Sequence, residues 1–357
     1  MLKALVLSGG TGTRLRPLTH TNPKQLIPVA NRPIIFYIMD EIASAGITDV
    51  GVVISPETGA MIKNNLGDGS RWDINISYIL QDKPLGLAHA VLVARNFLAD
   101  HPFLMYLGDN LVCDGVGEMM KTFLMGHGDA GVMIKRMSNP GRFGVAVLDE
   151  NANVVKLVEK PAEPISNYAL VGVYLFNSGI HRAIDSISPS PRGELEITDA
   201  IQRYLEMGAR INSCVLEGWW FDTGCKEDLL EANRTLLDDR CKRNIKSSFC
   251  QNSRVGGRVE IEEDCSIKSS VIIGPAVIGK GVVVNNCLIG PYSSLGEGCN
   301  LDAAWVENSI LMPGCSLSGR IHLRESLMGS FCRVAGNSVL RKVGKFNLGD
   351  NTELELD

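Results

Sequence analysis

Leu2-Lys3-Ala4-Leu5-Val6-Leu7-Ser8-Gly9-Gly10-Thr11-Gly12-Thr13-Arg14-Leu15-Arg16-Pro17 opens the chain. Leu2 to Leu7 is a nearly unbroken apolar run, the pattern of a strand buried on both faces. It ends abruptly in glycines. No Gly-Lys-Ser/Thr closes the loop, so it is not a Walker loop. A Gly-x-Gly frame can be set at Gly10, but Leu15 stands where the dinucleotide fingerprint needs its third glycine. Pro17 delays any helix. What remains is a strand-end loop with little side-chain bulk, whose backbone N–H groups can approach an anion closely. Arg14 and Arg16 follow, and guanidinium forks match phosphate oxygens.

Outward from this stretch, short apolar runs alternate with longer amphipathic ones. Val50 to Ile54, Ile74 to Leu80 and Phe103 to Leu107 read as strands. Pro33 to Ala45 reads as a helix, with Ile34, Ile38 and Ile42 at helical spacing, and Gly86 to Phe97 as a second. This alternation predicts an α/β domain with a mostly parallel sheet covered on both faces. Ligands of such sheets gather beyond the carboxyl ends of the strands. The glycine loop and Gly108-Asp109-Asn110 both lie there.

Lys226 to Asn244 is charged, helical in pattern and free of glycine and proline, and reads as a connector. Beyond it aliphatic residues recur at Val255, Ile261, Ile267, Ile272, Ile278, Val284, Ile289, Leu295 and Leu301, at steps of five or six. Glycines and small residues fill the gaps. That period predicts a parallel β-helix, whose coils bury their apolar faces only by stacking. The pattern weakens after Leu301. The expected boundaries are 1–240 for the α/β domain and 246–357 for the β-helix, and a solenoid that associates side by side makes a homo-oligomer the expectation.

The length of 357 residues also favours two domains. A net charge of −5 excludes a general nucleic-acid binder, which carries a basic stripe, but not a small phosphate ligand. No stretch approaches the ~20 apolar residues of a membrane span. Met1 to Gly10 is too short for a secretory leader with its cleavage site. None of the ten cysteines falls in a Cys-x-x-Cys pair. Reduced, mostly buried thiols in a cytoplasmic protein are expected.

Candidate chemistry spreads along the first domain. Lys24, between Pro23 and Pro28 in a segment expected to be stiff and extended, is a candidate point charge for a phosphate. Asp109 follows a strand, and Asp222 lies in the aromatic turn Trp220-Phe221-Asp222-Thr223-Gly224. Were the two to meet, they and substrate phosphates would make a Mg²⁺ site; their separation along the chain leaves that open. Glu159 and Lys160 end the strand from Val154. Neighbours on a strand point to opposite sides, yet at a strand end both can reach a cleft, one for hydroxyls and one for phosphate. The plain alternative is a surface ion pair.

Together, Gly9-Gly10-x-Gly12-Thr13-Arg14-Leu15-x-Pro17, Pro23-Lys24-Gln25 and Pro28-Val29 resemble the signature of the sugar-1-phosphate nucleotidyltransferases. The resemblance continues through Gln81 with Pro84-Leu85-Gly86-Leu87-Ala88, Leu107-Gly108-Asp109, Arg142-Phe143-Gly144-Val145, Val158-Glu159-Lys160-Pro161, Arg192 to Asp199, and Trp220 to Gly224. Within that family the chain is most similar to the glucose-1-phosphate thymidylyltransferases. The β-helix and the closing Leu348-Gly349-Asp350-Asn351 look like their long form. The implied fold is a Rossmann-like, mostly parallel nucleotidyltransferase domain followed by a left-handed parallel β-helix. Two departures fall outside the phosphate chemistry: His89, where short thymidylyltransferases tend to carry glutamine, and Leu170-Val171-Gly172, often Val-Thr-Gly. His89 reads as a surface or packing histidine.

The resemblance implies a nucleoside triphosphate and a sugar 1-phosphate as substrates, dTTP and glucose 1-phosphate or, alternatively, UTP with the same or a related sugar, and Mg²⁺ as cofactor. Gly9, Gly10, Gly12 and Thr13 would cradle the nucleotide, and Gln25, Gln81 and Gly86 would read its base. Arg14 and Lys24 would act on the triphosphate. Gly144, Glu159, Lys160 and Leu170 would take the sugar phosphate, with Lys160 on the phosphate itself. Asp109 and Asp222 would carry the metal. An ionised phosphate monoester needs no protein nucleophile or general base. Two other classes remain open. Hexapeptide-repeat domains can transfer acyl groups using a coil histidine, and His322, the one histidine of this region, lies where the repeat has weakened. Some regulatory binding subunits share the two-domain plan but lack the charged set present here.

Overall fold

The computed structural model describes residues 1–357 apart from 11, 114, 127, 164, 247, 248, 337–342 and 357. Two compact units emerge, Met1–Gly10 with Ile35–Asp222, and Thr11–Ile34 with Thr223–Asp357.

The first unit is built on a nine-stranded sheet. Its centre is parallel: Phe103–Leu107, Lys3–Ser8, Asp49–Ile54 and Asn75–Leu80 lie side by side in that order. Beyond Phe103–Leu107 the sheet turns antiparallel through Tyr168–Phe176, Gly144–Leu148 and Val154–Glu159. The apolar runs form these strands because both faces are covered. Leu5 and Met105 pack with Ala88, Val91, Ile180 and Ile197 from helices on one face. Strand alternation sends Tyr106 to the other face, where its hydroxyl donates to Glu41 of the helix Ile34–Ser44 at 3.0 Å. Full burial of each such aliphatic side chain contributes roughly 1.5–3 kcal/mol. The helix expected from Gly86 to Phe97 is present but divided, as Leu87–Val93 and Arg95–Leu98.

The second unit contains the β-helix. Three sheets, of seven, seven and five short strands, run parallel throughout. Val259 pairs with Ala276 and Ala276 with Ser293, so each coil advances by the sum of the sequence steps six, six and five. The interior is a column of aliphatic side chains, including Ile261, Ile278, Leu295, Leu301 and Val306, all at or below 1% exposure. The expectation that the repeat weakens after Leu301 is corrected. Leu311, Leu317, Leu323, Met328 and Val334 continue the buried column. His322 lies in a regular coil, stacked on Trp305 at 4.1 Å. Serine, cysteine and asparagine at neighbouring positions hide the pattern from a hydropathy reading. They fit because Cys299, Cys315 and Cys332 donate to backbone carbonyls of the next coil. The connector is the helix Lys226–Arg240, with Leu229, Leu236 and Leu237 buried.

Candidate active site

In the first unit the strand register gathers the expected residues at one sheet edge. Leu7 pairs with both Val53 and Leu107, and Ile54 with Leu80. The next residues, among them Gly9, Ser55, Gln81 and Gly108-Asp109, therefore leave the sheet at the same end. A Cβ on Gly9 would lie 3.3 Å from Gln81 Oε1. Gln81 Nε2 donates to the Gly86 carbonyl at 3.2 Å and lies 3.0 Å from His89 Nδ1. Both amide protons are thereby used, and Oε1 faces Gly9. His89 is half-buried and orients Gln81, which corrects its reading as a plain surface or packing histidine. Gly86 has φ 104°, and a Cβ there would stand 2.4 Å from the Leu195 carbonyl oxygen. Only glycine fits.

The segments carrying Asp109 and Asp222 run side by side. Leu111–Val112 and Trp220–Phe221 form a small antiparallel ribbon in which Phe221 pairs with Leu111. Continuing that register sets Asp222 across from Asn110, one residue from Asp109. Asn110 is 3% exposed. Its Nδ2 donates to Asp109 Oδ1 at 3.2 Å and its Oδ1 accepts from Trp220 Nε1 at 2.7 Å. Asn110 thus connects the two acidic segments. The sequence reading gave it no role, although it stands inside Gly108-Asp109-Asn110. A half-buried indole N–H is best satisfied by an acceptor, and that was the available signal.

Gly144, Leu170 and Glu159 also converge. Gly144 pairs with Glu159. A Cβ on Gly144 would fall 2.7 Å from Leu170 Cδ1, 2.7 Å from Thr198 Oγ1 and 3.2 Å from Glu159 Oε2. Thr198, 1% exposed, donates to Glu159 Oε2 at 2.6 Å. Thr198 was another omission, visible only as one residue of the segment Arg192 to Asp199. Lys160 has φ 41°, so the strand stops at Glu159 and the lysine folds back to within 3.2 Å of Glu159 Oε1. The opposite-side projection expected of a continuing strand does not apply. An ion pair this exposed holds only about 0–1 kcal/mol. Carboxylates crowd this region: burial, then Glu196 and Glu159, push the Asp199 carboxyl above its usual range.

In the second unit, Gly12, Thr13, Arg14, Lys24 and Gln25 belong to one folded segment. Gly12 has φ 61° and precedes a short 3₁₀ turn, Thr13–Leu15. Thr19 Oγ1 donates to the Gly12 carbonyl at 2.7 Å. A Cβ on Gly12 would meet Thr19 Cγ2 at 3.0 Å and Lys24 Cβ at 3.2 Å, so the glycine loop closes against the lysine. Arg14 lies over Gly224, whose hypothetical Cβ would be 2.9 Å from Arg14 Nη2. Lys24 is not extended as expected. It opens a 3₁₀ turn, Lys24–Leu26, entered from Pro23, which itself stays extended at φ −64° and ψ 140°. Lys24 is 6% exposed and Gln25 2%. The Gln25 Oε1 atom has no hydrogen-bond partner among the described residues. Among the described residues no group of three or more His, Cys, Asp and Glu side chains could hold a metal.

Residues 3–239 match the family described as nucleotidyl transferase. Over 356 residues the chain is 44% identical to a glucose-1-phosphate thymidylyltransferase of Streptomyces antibioticus, covering 99% of each. It is 42% identical over 358 residues to the low-salt glycan biosynthesis nucleotidyltransferase Agl11 of Haloferax volcanii, covering 99% of this chain and 100% of that one. A solved Bacillus anthracis chain, provisionally named a glucose-1-phosphate thymidylyltransferase and in complex with a sucrose, is similar with a TM-score of 0.61 at 34% identity. That match covers 65% of this chain and 94% of the other.

Proposed function

The chain belongs to the nucleotidyl transferase family, and from that membership we propose that it transfers a nucleotidyl group from dTTP to glucose 1-phosphate, releasing pyrophosphate and giving dTDP-glucose. The observation that carries this reading is likeness over 99% of both chains to a glucose-1-phosphate thymidylyltransferase, β-helix included.

One phosphate oxygen of the sugar phosphate attacks the α-phosphorus in line with the departing pyrophosphate. Both substrates are anionic, so the protein must offset repulsion and hold them aligned. In this reading the backbone of Gly9, Gly10, Gly12 and Thr13 cradles the triphosphate. Arg14 and Lys24 supply its positive charge, Arg14 on the leaving pyrophosphate. Lys160 takes the sugar phosphate and Glu159 the hydroxyls, in a pocket floored by Gly144 and Leu170. Gln25, Gln81 and the Gly86 backbone read the pyrimidine. The Gln81 orientation supports this, because Oε1 is left as an acceptor for the base N–H.

Asp109 and Asp222 are of the donor type that suits Mg²⁺, which is commonly held by one or two carboxylates together with substrate phosphates, and the ribbon that brings their segments together supports assigning them to it. When bound, the ion would offset negative charge developing on the phosphates. We also read the protein as a cytoplasmic homo-oligomer. Its buried free thiols Cys241, Cys287, Cys299, Cys315 and Cys332 support a reducing compartment. The test is pyrophosphate release from four nucleoside triphosphates against three sugar 1-phosphates, with and without Mg²⁺. Fastest release from dTTP with glucose 1-phosphate supports the proposal. Fastest release from UTP replaces the nucleotide, and no release from any pair overturns the reading.

A further inference from the structure

The segment carrying Arg14 and Lys24 draws part of its shape from residues distant in sequence. Within it lie the Thr19 contact to Gly12, five single-turn hydrogen bonds (Leu15 to Gly12, Arg16 to Thr13, His20 to Pro17, Leu26 to Pro23 and Ile27 to Lys24), the Ile34 to Ile27 bond and the ribbon of Pro28–Val29 with Arg32–Pro33; two further anchors lie on the C-terminal part of the chain. One anchor holds its far end. The Ala30 N–H donates to Asn233 Oδ1 at 2.8 Å, and Asn31 Nδ2 donates to the Leu295 carbonyl at 2.6 Å. The other holds its middle. Thr21 Oγ1 and Asn22 Nδ2 both donate to Asp350 Oδ2, at 2.7 and 2.5 Å. Asp350 is itself fixed, because its Oδ1 accepts the Ser330 N–H at 2.7 Å. Beside it, a Cβ on Gly349 would lie 3.0 Å from Pro17 Cβ.

We propose that Asp350, on the last coil of the β-helix, is a positioning residue for the triphosphate loop. This proposal rests on the function proposed above. The carboxylate grips the chain between Arg14 and Lys24, close to the lysine. Only Pro23 separates Asn22 from Lys24, so the chain has little slack through which an error at Asn22 could be absorbed. Loss of the grip displaces the lysine, and displacements near 1 Å can cost on the order of 10²-fold in rate. A charged acceptor suits this place. One carboxylate serves three donors, which a single amide oxygen cannot. The β-helix then has a task beyond packing and assembly: its final coil braces the loop at the opposite end of the sequence.

The test uses the full-length chain. Asp350→Ala should raise KM for dTTP roughly tenfold and leave KM for glucose 1-phosphate within about twofold, since charge-assisted hydrogen bonds to one loop are lost. Asp350→Asn should fall between, because its one oxygen can serve only part of the donor set. Adding Thr21→Val and Asn22→Ala to Asp350→Ala should cost nothing further, as all act through one contact. Hydrogen exchange of residues 12–26 should quicken in Asp350→Ala while far-UV circular dichroism stays unchanged. Unchanged exchange, additive losses, or parallel rises in both KM values would overturn the proposal. A wild type inert with every triphosphate sinks the proposed function alone, because the exchange measurement does not depend on turnover.

Discussion

Phe221 pairs with Leu111 in a two-residue ribbon, and that pairing brings Asp222 into register with Asn110 beside Asp109. Two acidic segments far apart in the chain thereby lie side by side. Asn110 fastens the ribbon from within, donating to Asp109 and accepting from Trp220.

If the two aspartates act as one metal-holding unit, Asp109→Asn and Asp222→Asn should each lower kcat by on the order of 10²–10³. The double variant should be little worse than either single one. Pyrophosphate release followed across a Mg²⁺ titration checks this. Independent, multiplying losses would separate the two residues. Asn110→Ala should lose part of the same activity by freeing Asp109 and leaving the Trp220 indole unpaired.

Gly86 is held at φ 104° with the Leu195 carbonyl where a Cβ would go. Gly86→Ala should destabilise the protein by about 1–3 kcal/mol through backbone strain alone, and by more through the clash. Urea denaturation reads the loss. A variant as stable as wild type would show that the loop can relax at no cost.

His89 holds the Gln81 amide in one orientation through its Nδ1. His89→Leu removes that acceptor and lets the amide turn. KM for dTTP should rise several-fold, with KM for glucose 1-phosphate unmoved. His89→Asn, whose oxygen can accept in the same direction, should restore part of the loss. Steady-state kinetics with each substrate varied in turn separates these outcomes.

Lys160→Ala should weaken sugar-phosphate binding far more than triphosphate binding, by roughly tenfold or more for one lost charge-assisted contact. Thr198→Val leaves Glu159 without its buried donor and should act on the same substrate. Equal losses for both substrates would remove Lys160 from the sugar side.

Asp199 offers a pH test. Its pKa is raised above the ordinary 3.8 first by burial, then by Glu196 and Glu159. The folded state keeps this proton where the unfolded chain has already lost it. Stability from this group is therefore intact below the unfolded value and falls as pH rises through the raised folded one. Asp199→Asn should match wild type at low pH and exceed it at neutral pH in urea midpoint. A variant equally weakened at every pH would mean that lost packing, not ionisation, dominates.

Legibility differed by scale. The parallel strands were readable because burial on both faces demands uninterrupted apolar runs, as in Leu2 to Leu7 and Phe103 to Leu107. The β-helix was readable because each coil repeats one buried aliphatic per side. The repeat became obscure after Leu301, where cysteines and serines take interior or corner places and satisfy their polar atoms on the adjacent coil. Lys24 was misread as extended, since a proline before a residue fits both an extended segment and a helical first turn, and only the neighbouring backbone chooses.

By itself, the sequence determined the candidates for the proposed site: Arg14, Lys24, Asp109, Glu159, Lys160 and Asp222 are placed by local motifs at strand ends or turns, where short-range rules suffice. Tertiary structure alone decided which of them are neighbours. Pairing of Phe221 with Leu111, closure of Gly144 on Glu159 and Thr198, and the grip of Asp350 on Thr21 and Asn22 are contacts between residues distant in sequence. No local preference encodes such contacts. They arise because the chain buries its apolar runs in one register, and that register carries the polar residues with it.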